Sequence, residues 1–183
     1  MDFGHVRVVI DYRTGRVRCQ VPGRSQDPVV APRSSWGSDE HIAGTERLGG
    51  ASSLSAAVAL TCVFAIKRSG SESTAMHRLI TTLRTAMSLS RRPATFRQAT
   101  AVVLAVRRAA WWSPGRTACL EESAAAVLLL AARGLSVTWC HGIAPDPVRL
   151  HAWVQTEHGE LVAEPGSTRA YTPVLVLGDR REQ

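Results

Sequence analysis

The sequence predicts an α+β domain in which helices come first and an antiparallel sheet follows. Apolar residues recur at three- and four-residue spacing from about Ser52 to Arg133, and the period changes to two from Ser136 to Leu177. No glycine-rich phosphate loop and no alternation of strand with helix occurs, which argues against a doubly wound sheet. At 183 residues, 45% apolar and 20% charged, the chain is long enough for one ordinary core.

Each element has its own signal. Val6 to Tyr12 and Arg16 to Val21 are β-branched runs around Arg13-Thr14-Gly15, which predicts a hairpin with glycine at the residue of positive φ. Residues 22 to 50 collect Pro, Gly, Ser and Asp without a period and read as a flexible linker. Ser53 can cap a helix running to about Arg68, and Ser73 or Thr74 one running to about Leu89. Arg91-Arg92-Pro93 breaks the chain before a third helix, about Thr95 to Trp111, with Phe96, Ala99, Val103, Val106 and Ala110 as its apolar stripe. A fourth, about Ala118 to Arg133, carries Leu120, Ala124, Val127, Leu128 and Ala131 on one side, and Gly134 is its left-handed stop. Ser136 to Ile143, His151 to Glu157, Glu160 to Glu164 and Pro173 to Leu177 read as strands. Trp139 and Trp153 are expected in the sheet packing, and Trp111 and Trp112 are expected to close the helical layer over it. The expected organisation is a hairpin at 1–21, a linker at 22–50 and the main domain at 51–183.

Composition removes several function classes. Twenty-two basic against fifteen acidic residues give +7, almost all of it arginine, since Lys67 is the only lysine. The arginines are scattered without interleaved aromatics, which reads as solvated faces or attraction for an acidic peptide more readily than as a nucleic-acid surface. Cysteines at 19, 62, 119 and 140 are far apart with no CxxC, so neither a disulfide framework nor a zinc site is expected. Leu54 to Ile66 falls well short of the ~20 apolar residues that cross a bilayer. MDFGHVRVVID has no charged-then-apolar signal pattern, so the expected location is the cytoplasm, without a membrane partner.

Three residues in the order cysteine, histidine, acid can carry chemistry. Cys119, in RTACLEES, opens the fourth helix if Thr117 is the N-cap; free backbone N–H groups and the positive end of the macrodipole then face its sulfur. Taken alone, a cysteine on an apolar helix is more commonly a small buried hydrophobe. Glu121 and Glu122 oppose a thiolate unless they point to solvent, so the local sequence leaves reactivity undecided. His151 opens the strand HAWVQTE. With His158-Gly159 as a two-residue loop, Glu157 faces Glu160 and Trp153 faces Glu164, which puts Glu164 diagonally beside His151 at ~7–8 Å. Glu160 would share that face on the order of 20 Å away. A three-residue loop would shift the register and send Glu164 to the other face. Asp146, between two prolines, is a weaker candidate for the acid. Cys140 and His141 are strand neighbours on opposite faces and cannot chelate together.

The run ACLEESAAAVLLLAARGLSVTWCHGI followed by DPVRLHAWVQTEHGELVAEP resembles the transglutaminase-like B protein of lasso-peptide biosynthesis, the leader peptidase, over about Pro93 to Leu177. Its most specific parts are the cysteine helix ending in RGL, the W-C-x-G strand and the HAWV strand with an acid about a dozen residues on. The resemblance implies a papain-like or transglutaminase-like core, with Cys119 as nucleophile, His151 as base and a carboxylate, here Glu164, as the third member. The family usually has aspartate or asparagine on a shorter hairpin. It also implies partners: a ribosomally made precursor peptide with its leader, a small leader-recognition protein, and an ATP-using macrolactam synthetase. No cofactor is implied for this subunit, ATP being the partner's. VRVVIDYRTGRVRCQ looks like the first strands of the leader-recognition domain that some members carry at the N-terminus.

Overall fold

In the computed structural model, residues 7–20, 54–113, 115, 117–145 and 148–178 are described. The stretch read as a linker, the capping Ser53 and the candidate acid Asp146 lie outside them.

Arg7–Asp11 (β1) and Arg16–Gln20 (β2) pair antiparallel as the expected hairpin. Asp11 closes the turn by accepting from the Arg13 N–H at 2.9 Å and the Thr14 hydroxyl at 2.6 Å. Alternation sends Val8, Ile10, Val17 and Cys19 inward against Ile143, Leu150 and Val174 of the main sheet. Arg7, Val9, Arg16 and Arg18 face outward.

The helices follow: Leu54–Arg68 (α1), a 3-10 turn at Glu72–Thr74, Ala75–Ser88 (α2), the short strand Arg92–Pro93 (β3), Phe96–Trp111 (α3) and Cys119–Ala132 (α4). Thr95 and Gln98 form a capping box at the start of α3: the Thr95 hydroxyl accepts the Gln98 N–H, and the Gln98 amide oxygen accepts that of Thr95 at 3.0 Å. The buried face of α3 is Ala99, Val102, Val103, Val106, Ala109 and Ala110, while Phe96 is exposed. Trp111 and Trp112 do not close the helical layer; they are 72% and 80% exposed. Trp111 lies a ~100° step round from Ala110, and Trp112 follows the helix end.

α4 differs from the one-sided helix the periodicity suggested. Leu120, Ser123, Ala124, Ala125, Ala126, Val127, Leu129 and Leu130 are all buried, because α1, α2 and α3 pack round it and the sheet takes the remaining side. Consecutive alanines let those neighbours approach closely.

After α4, Leu135–Ser136 (β4) pairs parallel with β3. Thr138–Pro145 (β5), Val148–Gln155 (β6) and Thr172–Leu177 (β7) form an antiparallel sheet in the order β6-β5-β7, with a 3-10 turn at Gly166–Ala170 before β7. The mixed architecture, helices then antiparallel sheet, is the α+β class expected. The expected strand Glu160–Glu164 is absent; a single bridge joins Gln155 to Leu161. Trp139, on the core face of β5, donates its indole N–H to Ser123 Oγ at 2.9 Å and so fastens the sheet to the second turn of α4.

Candidate active site

Cys119 is the first residue of α4 and is half-buried. The N-cap is Ala118 and not Thr117. Alanine has no side-chain acceptor, so Glu121 reaches back and accepts the Ala118 N–H at 3.0 Å, while the Thr117 hydroxyl donates to Glu122 at 3.2 Å. Neither glutamate escapes to open solvent. Glu121, 8% exposed, is paired with Lys67, the sole lysine, at the end of α1. Glu122 lies 3.7 Å from the Arg107 guanidinium. The two charges that oppose a thiolate are thus each matched by a cation.

His151 sits opposite Gly142 in the β5–β6 register, and Trp153 opposite Cys140, so the imidazole and the indole share a face. They stack at 5.8 Å between centroids, 15° apart, and Tyr171 packs against both, 5.2 Å from the imidazole and 6.5 Å from the indole, so the three rings form one cluster. Gly142 makes this possible. A Cβ there would meet Trp153 Cη2 and the Thr172 carbonyl oxygen, each at 2.7 Å. The glycine of the W-C-x-G strand is therefore the floor under the indole.

Glu164 reaches His151, by a route the two-residue loop did not anticipate. The loop has three residues, Glu157-His158-Gly159, with Gly159 at φ 82°, and the Thr156 N–H donates to the Glu160 carbonyl at 3.0 Å. That is the register that would turn Glu164 away. The ladder, however, ends at the Val162 N–H to Val154 carbonyl bond, and Ala163 adopts φ 54°, which turns the chain back. Glu164 Oε2 then lies 2.8 Å from His151 Nε2 and accepts from the Thr168 hydroxyl at 3.2 Å, while Oε1 is 2.5 Å from Arg107 Nη2. Glu160 instead pairs with Thr156 at 3.2 Å.

Glu164 occupies Nε2, and Cys119 is hydrogen-bonded to the same imidazole. Burial alone would pull the imidazole's pKa down; hydrogen bonds and negative charge from Cys119 and Glu164 outweigh it and push the pKa up to about 9. The ring is therefore an imidazolium at neutral pH. On the opposite face of β5, His141 is pulled down to about 4, first by burial and then by the charge of His151. Its Nδ1 lies 2.8 Å from the Tyr12 hydroxyl of the hairpin, and it stacks on Trp139. Burial raises Glu122 against the lowering influence of Arg107 and Thr117. Cys140 is buried. Among the described residues no group of three or more His, Cys, Asp or Glu side chains is arranged to hold a metal ion.

Sequence reasoning did not find Arg107, Lys67, Thr168 or Tyr171. Arg107 was hidden in an Arg-Arg pair that resembles a solvated face. Lys67 carried a signal in being the single lysine, though nothing local gave it a partner.

A helix N-terminal cysteine, a strand histidine and a buried carboxylate in contact sequence define an α+β protein of the papain and transglutaminase type. The chain belongs to the transglutaminase-like superfamily, whose family model matches residues 58–176, well over half its length. That superfamily includes cysteine peptidases and acyl transferases. No curated protein and no solved structure matches the chain significantly. Among the described residues no helix is long and apolar enough to cross a membrane.

Proposed function

We propose that this chain is a cytoplasmic cysteine endopeptidase that separates the leader from the core of a ribosomally made lasso-peptide precursor, before a partner closes the macrolactam. The contact sequence Cys119–His151–Glu164 carries the catalytic part of the reading. The pathway rests on the resemblance of the Cys119 helix, the TWCHG strand and the HAWV strand to the lasso B proteins.

In this mechanism the Cys119 thiolate attacks the scissile carbonyl carbon, and the backbone N–H at the start of α4 donates to the oxyanion. His151 protonates the departing core amine, leaving the leader as a thioester on Cys119. His151 then takes a proton from water, whose oxygen attacks the thioester; the leader leaves as a carboxylate and the thiolate returns. Glu164 holds the ring beside the sulfur. Trp153 stacked on one ring face, with Tyr171 packed beside both rings, limits water there. The leader is bound by strand addition to the hairpin, which among the described residues pairs with no third strand; exposed Arg7, Arg16 and Arg18 attract its acidic residues. A leader-recognition protein and an ATP-dependent macrolactam synthetase are the partners, ATP being used by the latter.

The test is incubation with a leader–core peptide, with those partners present, followed by mass spectrometry. Free leader carboxylate and a core with a new amine, both lost in Cys119→Ala, are expected. A leader acyl group joined to a second amine would make the protein a transferase instead, and peptide bound but uncut by the wild type would make it a binding subunit.

A further inference from the structure

We propose that Arg107, on α3, is the positioning residue that makes Glu164 the partner of His151 and ties that acid to the first turn of the nucleophile helix. The proposal rests on the Cys119–His151–Glu164 reading above.

One guanidinium serves three groups. Nη1 donates to the Ala163 carbonyl, Nη2 pairs with Glu164 Oε1, and Nε faces Glu122 on α4 at 3.7 Å. The arrangement is desolvated, with side-chain exposures of 16% for Arg107 and 2% for Glu164. Its placement matters because the strand pairing works against the site. Continuing the observed ladder would set Glu164 opposite Ala152, on the face away from His151. The chain avoids that only by the left-handed turn at Ala163, a conformation that a non-glycine residue adopts at a cost. Arg107 binds the carbonyl of that same residue and the carboxylate of the next one, so its planar fork stabilises the turned chain and aims its product. The two oxygens of Glu164 are divided: one goes to Arg107, the other to His151 and Thr168. Through Glu122 the same guanidinium anchors this corner to the helix whose first residue is Cys119. Lysine, a point charge, can satisfy one of the three groups but not the fork.

The charged and titratable groups around His151 are Cys119 from α4, Glu164 from the loop and Tyr171 ahead of β7, with His141 acting from the other face of β5, and Arg107 acts on the ring through Glu164. Losing Arg107 therefore weakens the Glu164–His151 bond, and it also takes the facing cation from Glu122 on α4.

Two measurements test this. The first is the pH dependence of Cys119 alkylation by iodoacetamide, followed by peptide mass spectrometry so that Cys19 and Cys62 are read separately; it needs no peptide substrate. In Arg107→Met the inflection that reports His151 losing its proton should move down from near 9 by roughly one pH unit. The second is cleavage of the leader–core peptide, where kcat should fall about tenfold or more with KM within about threefold, Arg107→Lys recovering part of it. Arg97→Ala, on the exposed start of α3, should match the wild type. Adding Arg107→Met to Glu164→Gln should cost much less than Arg107→Met costs the wild type, because most of its effect runs through the Glu164–His151 bond and only a smaller part through Glu122. Should Arg107→Met not fold, Arg107→Lys carries the same comparison. An unchanged alkylation profile, or losses that add in the double variant, would overturn the role of Arg107. Ordinary thiol behaviour of Cys119 in the wild type would instead overturn the ion-pair reading itself.

Discussion

Gly142→Ala is the smallest change that tests whether the sheet's packing holds the imidazole. The added methyl carbon would lie 2.7 Å from Trp153 Cη2, 2.9 Å from Cζ3 and 2.7 Å from the Thr172 carbonyl oxygen. Carbon contacts are comfortable at about 3.5–4.0 Å, so the indole must retreat by something near 1 Å. The Thr172 oxygen is backbone of β7, and the β5–β7 pairing is already irregular between His141 and Gly142, which leaves little room on that side. Overpacking of this kind costs about 1–3 kcal/mol, and two obstructions put Gly142→Ala toward the upper part. A domain of this size loses ~2–4 °C of Tm per kcal/mol, so a fall of roughly 4–12 °C is expected. The indole that moves is the one stacked on His151, so activity should fall with stability, by about tenfold under conditions where the variant is folded. Gly166→Ala is the control, since a Cβ there meets nothing within 4 Å and its φ is not left-handed; it should melt as the wild type does. The assay is thermal unfolding by circular dichroism beside Cys119 alkylation at neutral pH. A Gly142→Ala protein melting within ~1 °C of wild type with unchanged alkylation would refute the reasoning.

Other perturbations separate the remaining roles. Glu164→Gln should lower kcat by at least about tenfold and Glu160→Gln should leave it unchanged; equal rates from the two would remove Glu164 from the site. His141 is held neutral by burial, so its contribution is present above the ordinary 6.5 and is lost as pH falls toward about 4, a difference of up to ~3 kcal/mol that the raised Glu122 partly offsets. His141→Phe should therefore cost more stability at pH 7 than at pH 4.5 in denaturant titrations, and an equal cost at both would count against it. Arg16→Glu with Arg18→Glu, on the outer face of the hairpin, should raise KM for an acidic leader by roughly tenfold at low salt and leave Tm within ~2 °C; unchanged KM would remove the hairpin from recognition. Deleting the hairpin is a different experiment: it uncovers Ile143 and Leu150 and takes Tyr12 from His141, so Tm should drop by several degrees whatever the leader does.

The sequence by itself determined the succession of elements and the residues worth watching. Period 3.6 followed by period 2, and a cysteine at a helix start with a histidine opening a later strand, are local patterns, and local patterns are written in adjacent residues. Tertiary structure alone decided how α4 is buried on nearly every side, because one helix's periodicity does not count its neighbours. It alone also decided the fate of Glu164. The loop proved to be three residues, a register that should have lost the acid, and a single left-handed residue at Ala163 together with a guanidinium from α3 returned it to His151. Lys67 and Arg107 answer the charges of Glu121, Glu122 and Glu164 from positions as many as 57 residues distant. Such pairings depend on which surfaces the core brings together. A linear pattern records a side chain's chemistry and spacing, while the partner of a desolvated charge is chosen only when packing removes water from both.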